Sequence, residues 1–334
     1  MKQNDVFDIL KPYNNDRISL MSKKELYYFK SCLKNYYLSL RERLELSNKI
    51  TFGVEIEVDK IRKKIYDLGK NKYYLNKDWI FKNEETLLIG REVNSPVLYD
   101  NKNTWELLNE ILIDLSDCSE ITACCGGHIH FGSQIFADDK EAYYNLFLLW
   151  RAYENIIFRF GYGEFISERD NMKKYAIPFL GSYQYDNFNH FFFELHSRMS
   201  LSYGKIRESD LKDYKKCRIG KTIEVRSPNG SLNPIIWQNN INFFAKLMMY
   251  AKSKSFNREL MEVRILLNES KLKIYNNVFE YFKLIDIESA VELADLIFDN
   301  NLDKVYFLRQ YIKNEEVGMK VLEKGKKFTN CNFY

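Results

Sequence analysis

Two glutamates one residue apart, Glu55 and Glu57 in TFGVEIEV, are the first residues of the chain whose types and spacing suit chemistry. Successive side chains of a strand point to opposite faces, so these two share one face while Val54, Ile56 and Val58 fill the other. Three later segments repeat the device. Glu92 and Asn94 share a face in 91–98, His128 and His130 alternate with Ile129 and Phe131 in 127–131, and Glu224 and Arg226 alternate with Ile223 and Val225 in 222–226. Only 4 histidines exist, and two of them lie on one face of GGHIHFG.

Any one of these strands alone is explained by an antiparallel sheet with one wet face. Wet faces ordinarily mix Lys, Thr, Ser and Glu, whereas these carry Glu, His and Arg, with glycines close by in three of the four. Hard cations such as Mg²⁺ need oxygen ligands, which carboxylates converging from neighbouring strands supply. A histidine among them is compatible with Mg²⁺ or Mn²⁺. Zinc fits less well, because HxH with distant glutamates lacks the third His or Cys that zinc sites often show. An arginine beside a carboxylate suits an anion bridging metal and guanidinium, and phosphate has that shape and charge. Carboxylates, metals and arginine together are what phosphoryl transfer requires.

In order along the chain, FGVEIEV, REVNSPVL, GGHIHFG and TIEVRSPNGSLNP resemble the four sheet motifs of the amidoligase (carboxylate–amine ligase) family, related to glutamate–cysteine ligase and glutamine synthetase. Weaker likenesses are SERDNMKKYAIPF (167–179) and HSRMSLS (196–202). The resemblance implies an α+β fold, a glutamine-synthetase-like curved antiparallel sheet forming an open cup, with ATP and metal at one end. The implied reaction phosphorylates a carboxylate with ATP and lets an amine attack the acyl phosphate. By matching position, Glu55, Glu57, Glu92, His128 and Glu224 would ligand Mg²⁺. Arg226 would hold the γ-phosphate, with Arg226 and Glu57 the catalytic pair. His130 and Arg198 would face phosphate, and Arg169 and Asn94 a substrate. Relatives carry an Asp before the second motif where this chain reads KNEETLL, so Glu84 or Glu85 stands in for a metal ligand.

Rival readings use the same residues. A metal-dependent hydrolase would employ the HxH and carboxylates without nucleotide. A non-catalytic binding descendant would be expected to have lost some of Glu55, Glu57, Glu92, Glu224 and Arg226, all of which are present. Cys124 and Cys125 beside His128 invite a thiol nucleophile, but strand neighbours rarely supply both a base and an oxyanion hole. The run 188–195, with Tyr183 and Tyr185, suits an aromatic core segment or contact more than an acceptor pocket.

The elements that must position these groups follow from periodicity. Residues 1–48 read as a helical extension opened by a Ser22–Glu25 capping box. Residues 49–236 read as the sheet core with inserted helices at 104–115 and 141–160, and 237–334 as a helical region on the sheet's outer side, with turns near Asn268 and 299–301. With 334 residues and 46% hydrophobic side chains, including 24 Tyr and 24 Phe, the chain can bury a large aromatic core. A formal charge of +4 from 50 basic and 46 acidic residues, without a basic stretch interleaved with aromatics, gives no support to a nucleic-acid partner. No run reaches the length of a membrane span, and the first residues lack a signal-type apolar core, so a cytoplasmic protein with reduced cysteines is expected. The expected partners are small-molecule or peptide carboxylates and amines. Oligomeric state is left open.

Overall fold

The computed structural model describes residues 18, 20–62, 64–84, 87, 89–181, 198–203 and 221–313. The alternating segments form β1 (Phe52–Val58), β3 (Arg91–Asn94), β4 (Gly127–Gly132) and β6 (Thr222–Val225), joined by β2 (Ile80–Asn83) and β5 (Leu201–Ser202). They make one open six-stranded sheet of order β2-β3-β1-β4-β6-β5, and every pairing is antiparallel. The fold is therefore α+β, as expected.

Register turns four separate patterns into two continuous faces. Val54 pairs with Ile129 and Ile129 with Val225, while Ile56 pairs with Val93 and Phe131 with Ile223. All of these side chains are buried. On the other face Glu57 lies opposite Glu92, Glu55 opposite both Asn94 and His128, and His130 opposite Glu224. Directly opposed residues share a face and touch, so the polar groups are brought together by the pairing itself. The segment 87–98 is strand only over 91–94, with a single further bridge from Phe52 to Leu98. β2 escaped the sequence reading because it is an edge strand whose Ile80, Lys82 and Asn83 are exposed, which leaves little alternation to read.

Among the described residues eight longer helices accompany the sheet: α1 (Lys23–Lys34), α2 (Lys102–Ser116), α3 (Lys140–Ala152), α4 (Glu154–Gly161), α5 (Pro234–Ala251), α6 (Arg258–Leu272), α7 (Ile287–Ile297) and α8 (Asn301–Ile312). The Ser22–Glu25 capping box forms at α1. Asn101, Asn233, Asn257 and Asn300 cap α2, α5, α6 and α8 with their side-chain oxygens. Capping thus gives part of the asparagine content a structural use. Three expectations fail. The helical extension expected up to 48 ends at Lys34, and 36–48 run without helix to β1. The helix expected over 141–160 breaks at Tyr153 (φ −128°), where Glu154 turns away to serve another segment. The turn expected at Asn268 is instead helix. Its buried amide donates to Ala152 O at 2.6 Å and accepts from Tyr281 at 2.8 Å, so a turn-former is used as a cross-link.

The sheet's apolar face and the helices share one core. Phe52 stacks on Trp105 of α2 (5.5 Å between centroids), and Trp150 of α3 on Phe244 of α5 (5.7 Å). α5 is buried on nearly all sides, and its buried amides find partners: Gln238 donates to Arg41 O at 2.7 Å and Asn242 to Asp303 at 2.8 Å. The segment before β1 docks on α8 through Arg41–Asp303 (2.6 Å) and Arg309 Nε to Tyr36 O (3.2 Å). Among the described residues no helix is long and apolar enough to cross a membrane.

Candidate functional site

On the polar face, Glu55 of β1 is clasped by both histidines of β4. Its Oε2 lies 3.0 Å from His128 Nδ1 and its Oε1 3.0 Å from His130 Nε2. Glu224 Oε1 lies 3.9 Å from His128 Nδ1 and 3.9 Å from His130 Nε2. Burial alone would raise Glu55, but the two imidazoles outweigh it and hold this carboxyl well below the usual carboxylate range. Burial lowers His130, yet Glu55 and then Glu224 reverse that and raise it above its ordinary value. Glu55, His130 and Glu224 offer donor atoms that all fall within 4.8 Å of one another.

Glu57 is buried on the same face, one pleat along. Its Oε2 accepts from Gly126 N at 2.5 Å, and its Oε1 lies 3.7 Å from His128 Nε2. The paired glycines of GGHIHFG are required by close approach. A Cβ on Gly126 would sit 3.1 Å from the Arg169 guanidinium and from His128 Nε2, and one on Gly127 would sit 2.9 Å from Asn229 O and from the Trp237 ring. Glu92 is raised by burial first and then by the Glu55 charge, with Asn94 and Lys82 pulling the other way. Lys82 Nζ on the neighbouring edge strand is 3.5 Å from Glu92 Oε1.

These groups open into a cleft of about 190 Å³ lined by Glu55, Glu57, Glu92, His128, Arg169 and Arg226, with Glu84, Cys124, Asn171 and Tyr175 completing its wall. That volume is below the roughly 300–1,000 Å³ of small-molecule pockets, and suits a phosphate-sized group with ions. Arg226 is held at two points. Nε donates to Tyr175 O at 2.8 Å, and Nη1 pairs with Glu224.

Not every expected residue arrives. Arg198 is exposed and does not line the cleft. Arg169 reaches it, but its guanidinium donates to Pro228 O (2.7 Å) and Arg226 O (3.0 Å), so it braces the turn after β6. Burial pulls it down to about 10. Asn94 lies beside the cleft and bonds Glu92 rather than lining the wall. Of the KNEETLL pair, Glu84 lines the cleft, whereas Glu85 lies outside the described residues. So do the run 188–195 with Tyr183 and Tyr185, and Cys217 and Cys331. Cys125 is fully buried, and burial pushes its thiol up to about 12, which removes it as a nucleophile.

Sequence reasoning missed Asn171 and Tyr175, although both stand in the 167–179 stretch that it singled out. It also missed Glu154, fully buried in α4. Glu154 accepts from Phe179 N (2.9 Å), Leu180 N (2.6 Å) and Ser200 Oγ (3.4 Å). It thereby anchors the segment that carries Tyr175, and with it the carbonyl that holds Arg226. No signal beyond a charge within an apolar helix could have found it.

Compared with known proteins, the chain matches no protein-family model and no curated protein.

Proposed function

We propose that the chain is an ATP- and divalent-cation-dependent carboxylate–amine ligase, an amidoligase whose antiparallel sheet is the cup of a glutamine-synthetase-like fold. The observation that carries this reading is the register, which gathers Glu55, Glu57, Glu92, His128, His130 and Glu224 onto one face with Arg226 alongside. A metal centre fits these residues. The Nε2 atoms of His128 and His130 are both buried without a hydrogen-bond partner, and carboxylate oxygens stand next to each. Glu55, Glu57, Glu92, Glu224 and His128 would hold Mg²⁺ or Mn²⁺, which when bound neutralises charge on a triphosphate.

The chain's own contribution is orientation and charge. A substrate carboxylate oxygen attacks the γ-phosphorus of ATP, the bond to the bridging oxygen breaks, and ADP leaves with the electron pair. The amine then attacks the acyl carbon, phosphate departs, and the nitrogen loses a proton. Arg226, fixed by Tyr175 O and Glu224, presents a cation to the transferred group without having to reorganise. The buried N–H of Gly126 donates to Glu57 Oε2 and aims the carboxyl group.

The test is ADP release by the purified chain with ATP, Mg²⁺ or Mn²⁺, panels of amino-acid and peptide carboxylates, and hydroxylamine as a general amine. Hydroxamate formation stoichiometric with ADP, and lost in Arg226→Ala, is the expected result. A second reading, a metal-dependent hydrolase, is favoured by the small cleft and paired imidazoles. Metal-dependent amide hydrolysis that needs no ATP would establish it and overturn the ligase.

A further inference from the structure

Each of the two β4 histidines has one ring nitrogen committed and the other open. His128 Nδ1 meets Glu55 Oε2 at 3.0 Å and His130 Nδ1 faces Thr222 Oγ1 at 3.5 Å. Glu55 Oε2 only accepts, which places a ring proton on His128 Nδ1, and the Thr222 hydroxyl is able to accept one from His130 Nδ1, an assignment made from the surrounding groups. The Nε2 lone pairs are then left facing carboxylate oxygens. His130 Nε2 stands 3.0 Å from Glu55 Oε1, out of line for a hydrogen bond, and His128 Nε2 stands 3.7 Å from Glu57 Oε1. Both atoms are buried and unpartnered. A lone pair against a carboxylate is repulsive unless a cation lies between them. A metal ion lying there supplies that cation and also engages Glu224.

We infer that the two imidazoles serve two separate ions, His130 Nε2 with Glu55 and Glu224 in one subsite and His128 Nε2 with Glu57 in the other, so that the centre takes a nitrogen-accepting transition ion in preference to Mg²⁺. The partners of the Nδ1 atoms do what outer-shell groups of metal-bound histidines do. They fix the tautomer and raise the basicity of the opposite nitrogen. An all-oxygen shell is what Mg²⁺ selects for, whereas imidazole donors shift the balance towards first-row transition ions. His130, which the family resemblance sets only near phosphate, becomes a ligand. The inference rests on the metal centre of the proposed ligase but does not require the ligase reaction.

The experiment uses the full chain and Mn²⁺ alone, with Mg²⁺ as competitor. Pulsed electron paramagnetic resonance reads nitrogen coupling to Mn²⁺, and calorimetry reads affinity. The expected result is imidazole ¹⁴N coupling at two sites, replaced by ¹⁵N coupling when the wild-type protein is labelled with ¹⁵N-histidine. Mn²⁺ should bind at least about tenfold tighter than Mg²⁺, and His130→Asn, which substitutes an oxygen donor, should remove one coupling and lower Mn²⁺ affinity by about tenfold or more. Absence of nitrogen coupling in the wild type, or a single coupling that His130→Asn leaves unchanged, overturns the inference. The two readings fail separately. Nitrogen-coupled Mn²⁺ without nucleotide turnover refutes the ligase and leaves this centre standing, whereas turnover with an all-oxygen Mn²⁺ shell does the reverse.

Discussion

Replacing Glu154 with glutamine tests whether the cleft wall is anchored by a buried carboxyl. Burial raises this group from 4.5 to about 7, against hydrogen bonds from Phe179 N and Leu180 N that favour the charge. The sign follows from linkage. Below the unfolded value both states are protonated and ionisation costs nothing. Between 4.5 and about 7 the unfolded chain ionises and the folded chain does not, so stability falls as pH rises and the loss is complete above about 7. The rise makes ionisation cost about 3 kcal/mol more in the folded chain than in the unfolded one. Glu154→Gln cannot ionise, so the wild-type curve should fall by about 3 kcal/mol relative to the variant between pH 4 and pH 8. The variant should be the less stable of the two at pH 4, by about 1–3 kcal/mol, because one backbone N–H loses its acceptor. Guanidinium unfolding of both proteins at the two pH values reads the difference, in which other titrating groups cancel. Parallel pH curves would refute the idea that this carboxyl is protonated when folded.

Three further outcomes follow from the same geometry. Gly127→Ala drives a methyl into Asn229 O and the buried Trp237 ring, neither of which can yield, and should cost about 1–3 kcal/mol in chemical unfolding. Millimolar Mn²⁺ should stabilise the fold by relieving the carboxylate cluster, by about 2.7 kcal/mol at a hundredfold excess over Kd, and so raise the melting temperature; Glu55→Gln should abolish most of that gain in a thermal-shift assay. Cys124→Ala should leave turnover within a few-fold, and Cys125 should resist iodoacetamide in the folded chain because burial keeps it protonated. Loss of all turnover in Cys124→Ala would revive the thiol.

What the sequence conveyed, and what it withheld, divides along physical lines. Alternation along a strand is local, so the two faces of β1, β4 and β6 were legible residue by residue. Register is not local, and nothing in FGVEIEV or REVNSPVL says that Glu57 will lie against Glu92 rather than Asn94. The chemistry of the site depends on that pairing. Side-chain commitment is also invisible. Arg169 and Arg226 look alike in sequence, yet one spends its guanidinium on the carbonyls of Pro228 and Arg226 while the other faces the cleft with Glu224. Arg198, chosen on motif position, is exposed. Polar residues used inside the core mislead in the same way. Glu154 interrupts a helix that the apolar rhythm runs straight through, and Asn268 cross-links helices where its type signals a turn.

The most direct test of the proposed chemistry is calorimetric titration of the full chain with ATP, first with EDTA and then with Mn²⁺ or Mg²⁺. A carboxylate-lined cleft repels a triphosphate until cations neutralise it. Binding in the micromolar-to-millimolar range that appears only with metal, and is lost in both Glu55→Gln and Arg226→Ala, is the predicted result. Absence of binding under every metal condition, or binding indifferent to metal and to both substitutions, would contradict it.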